Sequence, residues 1–151
     1  MLPFEDLIRG LGEMIGVSLH VDSHQACLID FPNDGVQTQI DLDAQGDRIL
    51  IGSELGNLGP GTYRESVFKR AMRVNALPRI AQGYLAYSDR KDSLILFQHL
   101  MLSSLTPEKL HNYLSRFVNH ARLWKESLAV NDLPRIEEAP QSGSSGMLGL
   151  S

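Results

Sequence analysis

The sequence predicts an α+β fold: a twisted antiparallel sheet of about five strands with three helices, in the order α-β-β-β-α-β-β-α. Three observations predict it. Two tight turns in close succession join alternating segments, which makes an antiparallel meander. Three longer segments instead repeat their apolar residues at spacings of three and four. Finally, runs of antiparallel strands lie between the helical segments, which indicates an α+β fold.

The first helix is expected from Leu2 to Ile15, with Phe4, Leu7, Ile8, Leu11, Met14 and Ile15 on its apolar side. Pro3 suits its first turn and Gly16 its end. Gly10 and Gly12 weaken it and permit close approach of another group. Ala26 to Phe31 is the first strand, with Cys27, Ile29 and Phe31 on one face. Pro32-Asn33-Asp34-Gly35 is turn chemistry. Val36 to Asp43 then alternates, Val36, Thr38, Ile40 and Leu42 against four polar residues, so one face is wet. A second turn at Asp43 to Asp47 leads into a strand from Arg48 to Leu55.

The loop Gly56 to Gly61 precedes a helix that Thr62 and Glu65 open with the spacing of a capping box. That helix carries Tyr63, Val67, Phe68, Ala71, Met72 and Val74 and must end before Pro78. Gly83 to Ser88 and Ser93 to Leu100 are two further strands around a polar turn. Thr106-Pro107-Glu108 starts the last helix, whose apolar period runs from Leu110 to Leu128. Past Ala129 the period stops, and Pro, Gly and Ser dominate. The expected division is a domain over 1–128 and a flexible tail over 129–151.

At 151 residues and 42% hydrophobic composition, the chain builds one core without disulfides. The net charge is -4 and there is no sustained basic stripe, which argues against a nucleic-acid partner. No apolar run is long enough for a membrane span. The acidic start, Met1 to Asp6, does not read as a signal peptide, so a cytoplasmic location is expected.

Catalytic chemistry is sparse. The glycines from Gly56 to Gly61 lack the lysine and hydroxyl of a P-loop. His20 and His24 are four apart but off a helix, and no cysteine pair joins them, so no metal site is expected. Cys27 reads as a buried, inert thiol. Gly52-Ser53-Glu54 does not complete a nucleophile elbow. Asp41 and Asp43 read as solvated carboxylates on the wet face. An enzyme assembled from scattered His and Asp residues would need a polar pocket where they converge. The apolar stripes of the three helices are more informative. They either pack on the sheet or meet other chains, and periodicity does not separate the two.

Several segments carry a resemblance. They are Leu7 to Val17, the acidic hairpin strand Val36 to Asp43, Ile49 to Leu58 leading into a helix that ends near Asn75, and the closing Tyr113 to Trp124. In these, over roughly Phe4 to Leu128, the chain resembles the class I type III secretion chaperones of bacteria, the Tir-chaperone (CesT-like) family. The resemblance implies a cytoplasmic homodimer without catalysis, cofactor or metal. Such a dimer holds the N-terminal chaperone-binding segment of one or more secreted effectors in extended form, without ATP. It implies the secretion ATPase or sorting platform as a further partner. A regulatory adaptor of the same fold, sequestering a secretion or transcription regulator, is the alternative. By the same resemblance Leu7, Ile8, Leu11, Ile15, Ile29 and Phe31 form the effector-binding patch. Tyr63, Val67, Phe68, Ala71, Met72, Leu85 and Tyr87 form the dimer interface.

Overall fold

The computed structural model describes residues 2–77 and 83–136. Its elements are α1 (Phe4–Ile15), β1 (Ala26–Phe31), β2 (Val36–Leu42), β3 (Arg48–Asn57), α2 (Thr62–Asn75), β4 (Tyr84–Ser88), β5 (Ser93–Met101) and α3 (Pro107–Ala129), with one 3-10 turn at Leu102–Ser104. The predicted order holds throughout. All strand pairs are antiparallel, in the sheet order β1-β2-β3-β5-β4.

The inner face of the sheet makes the core. Cys27 pairs with Ile40 and Ile40 with Ile51, all at most 1% exposed. Two hydroxyls interrupt this face, Thr38 and Ser53, and they satisfy each other at 2.9 Å. Burying either alone would cost about 1–3 kcal/mol. α3 lies across β3 and β2, and α1 packs on α3. The close approach expected of Gly10 and Gly12 is made within the chain. A Cβ on Gly10 would stand 2.5 Å from Pro107 Cγ, and one on Gly12 2.6 Å from the Val17 carbonyl oxygen.

Local signals set most ends. Gly16 closes α1 in the left-handed conformation, φ 74°. The Thr106 hydroxyl accepts from the Lys109 N–H at 3.2 Å, with Pro107 in the first turn of α3. The capping box of α2 does not form. Gly61 takes the cap position at φ 109°, no side chain caps the helix, and Thr62 is already helical. β3 also runs two residues past the expected Leu55, because the Asn57 side chain donates to the Lys91 carbonyl at 2.7 Å and holds the strand to the β4–β5 turn.

Beyond Ala129 the described chain stays in contact with the domain. Leu133 and Ile136 pack against the core, Tyr63 Oη donates to the Asp132 carbonyl at 2.7 Å, and Arg70 donates to the Pro134 carbonyl. The remainder of the expected tail, 137–151, lies outside the described residues, as does the Pro78 expected to stop α2.

Candidate interaction surfaces

Four of the six residues in the expected effector patch are core residues of this chain. Leu7, Leu11, Ile8 and Ile29 are 0–1% exposed. α1 docks onto α3, which turns its amphipathic stripe inward, and Ile29 lies on the inner face of the sheet. Ile15 and Phe31 stay half-buried. Free apolar surface at this end comes instead from Met14, Val17 and Leu28, the last at 57% exposure.

Leu28 opens onto the outer face of the sheet, which bears a groove of about 680 Å³. The registers align one row across all five strands: Leu28, Gln39, Gly52, Phe97 and Tyr84. Side chains on a row share a face. Gly52 stands at its centre with none, flanked along β3 by Leu50 and Glu54. The Phe97 and Tyr84 rings lie 6.1 Å apart. Sequence reasoning missed this face. The available signal was a glycine inside a strand, which marks a bulge or a close approach.

The two edges of the sheet differ. On β4 the Asn75 side chain bonds both backbone groups of Leu85, donating to its carbonyl at 2.9 Å and accepting from its N–H at 2.8 Å. An α2 side chain thus occupies that edge where another strand would pair. On β1, among the described residues, the loop does this only at Ala26, through Asp22. By alternation the N–H and C=O groups of Leu28 and Asp30 point the same way as those of Ala26, outward from β2. Among the described residues they make β1 the open edge.

The expected dimer residues divide by depth. Val67, Ala71 and Leu85 are buried, while Tyr63, Phe68 and Tyr87 are half-buried. Met72 is 70% exposed. Beside them Arg64 stands over the rings of Phe68 and Tyr87, at 5.1 and 4.7 Å. It also donates to Asp92 Oδ1 at 2.5 Å and to Tyr87 Oη at 2.7 Å.

No group of three or more His, Cys, Asp or Glu side chains among the described residues could hold a metal ion. Burial pushes the Cys27 thiol up, the reverse of what a nucleophile needs. No described helix is long and apolar enough to cross a membrane.

The geometry is that of a small binding module: a core closed by helices on one side, with an open sheet face, an open strand edge and an exposed helix side. The chain belongs to the Tir chaperone protein (CesT) family, whose profile matches residues 6–125. No curated protein matches the sequence. The fold is shared with solved structures of low identity. The ExsC–ExsE complex is similar with a TM-score of 0.68 and 21% identity, over 85% of this chain and 97% of the other. The HopA1–SchA chaperone–effector complex gives 0.66 and 16%, over 82% and 93%. The Yersinia pestis type III secretion chaperone SycH, in complex with a stable fragment of YscM2, gives 0.62 and 12%, over 78% and 96%.

Proposed function

We propose that the protein is a type III secretion chaperone and not an enzyme. It acts in the bacterial cytoplasm as a homodimer, with the secretion ATPase or sorting platform as a further partner. It holds the N-terminal segment of one or more effectors in extended form, soluble and ready for secretion, without ATP. One observation carries this reading: a member of a chaperone family leaves one sheet face and the β1 edge open. An extended guest gains backbone hydrogen bonds at such an edge and side-chain burial on the adjoining face. Its ordering cost is offset by contact area.

Within the expected patch, Ile15 and Phe31 retain surface for the guest. Leu7, Ile8, Leu11 and Ile29 act by holding α1 and β1 in place. Dimerisation uses the α2–β4 side, with Met72, Phe68, Tyr63 and Tyr87 at the surface and Val67, Ala71 and Leu85 supporting them. Solved complexes of this fold with an effector, or with a stable fragment of YscM2, support the reading by analogy of fold.

The test is affinity capture from the native bacterium, followed by mass spectrometry and limited proteolysis of what co-purifies. A secreted protein with one protected N-terminal segment is the expected result. Enrichment of no secreted protein would sink the reading.

A further inference from the structure

Gly52 is the missing centre of an otherwise complete patch of side chains. Along β3 its neighbours on the outer face are Leu50 and Glu54, and across the sheet they are Gln39 and Phe97. Same-face neighbours on a strand stand about 6.5–7 Å apart, and adjacent strands about 4.8 Å. The flanking Cα atoms therefore stand about 13 Å apart along β3 and about 9.5 Å apart across it, and the position between them carries no side chain.

The rim is charged unevenly. Glu54 already has Lys91 at 3.6 Å and the Ser93 hydroxyl at 2.8 Å. Asp41 pairs with Leu50, one same-face step from Gly52. It accepts only a neutral hydrogen bond, from Gln39 Nε2 at 2.8 Å, and takes no cation among the described residues.

We propose that the Gly52 notch seats one large apolar side chain of an extended guest. A lysine or arginine two residues from that anchor meets Asp41. The spacing of alternate side chains on an extended guest, about 6.5–7 Å, matches the step from Gly52 to the Asp41–Leu50 level. The occupant is a basic-apolar segment of a separate protein. The assignment rests on the chaperone reading and specifies the chemistry its guest presents at this site.

Gly52 allows a clean test. A Cβ there meets only the Leu96 carbonyl oxygen, at 3.7 Å, and the backbone is outside the left-handed region. Gly52→Val therefore fills the notch with a residue that suits a strand. The probe is a fluorescein-labelled peptide, Ser-Lys-Thr-Leu-Thr-Ser, titrated by anisotropy against the full chain. Gly52→Val should weaken it at least tenfold, with the circular dichroism spectrum unchanged. Replacing the peptide leucine by alanine should weaken it similarly. Asp41→Lys should reverse the charge preference, favouring the peptide with glutamate in place of lysine.

Absence of binding at millimolar peptide, or equal binding to Gly52→Val, overturns the proposal. So does a change in the sedimentation of Gly52→Val without loss of peptide, which would make this face a contact between copies. If Gly52→Val loses the peptide but keeps the effector captured by the native protein, the notch is not where the guest sits, and the chaperone reading stands. A native protein that captures no secreted protein loses the chaperone reading, whatever the peptide does.

Discussion

Asp92 ties the loop before α2 to the turn between β4 and β5. Its carboxylate accepts from Arg64, from the Tyr87 hydroxyl at 2.6 Å and from the Gly59 N–H at 3.1 Å, while its carbonyl accepts from Leu58. The residue sits at φ 49°, a conformation asparagine also tolerates. The hydrogen bonds from Tyr87 and then Arg64 hold its carboxyl below the usual range. A depressed folded pKa contributes stability that is present above the unfolded pKa and lost as pH falls through the folded one. Asp92→Asn should thus lower the melting temperature at neutral pH. The gap to the native protein should close as pH drops through and below the ordinary carboxylate range. A gap that stays constant with pH would show that the charge contributes nothing. The sequence marked Asp92 only as part of a polar turn, because Arg64 and Tyr87 reach it from other elements.

At the scale of elements, the meeting of α1 and α3 decides what α1 does. Leu11→Ala removes a side chain that is 0% exposed and should cost about 2–5 kcal/mol in urea denaturation. Gly10→Ala sets two effects against each other. Alanine gains about 0.8–1 kcal/mol of helix propensity over glycine. The new Cβ, 2.5 Å from Pro107 Cγ, must push the helices apart, at about 1–3 kcal/mol. Net destabilisation is expected, and a more stable Gly10→Ala would show that α1 rides loosely on α3. The same contact explains why an effector patch drawn from the stripe of α1 fell largely on core residues: an amphipathic stripe has the same period whether it faces its own α3 or another chain.

At the scale of the molecule, the proposed homodimer has a specific weak point. Met72 is 70% exposed in the protomer, so Met72→Glu places no charge inside the fold. If α2 meets its copy there, the charge is buried unpaired in the dimer, which is strongly unfavourable. Sedimentation at micromolar concentration should give a dimer for the native chain and a monomer for Met72→Glu, with unchanged circular dichroism. A variant that stays dimeric would move the interface elsewhere.

The elements and their order are legible in the local chemistry of the chain. Ala26–Phe31 and the start and end of the last helix fell where they were read, and Val36–Leu42 ended one residue early. These depend on local chemistry: alternation, turn residues, a capping threonine and a proline in the first helical turn. Which apolar surfaces stay open depends on long-range packing. α3 covers α1, Asn75 occupies the β4 edge, and Gly52 comes to the centre of the outer face. Each depends on contacts between residues far apart in the chain, and periodicity shows that a face is apolar without showing what will cover it.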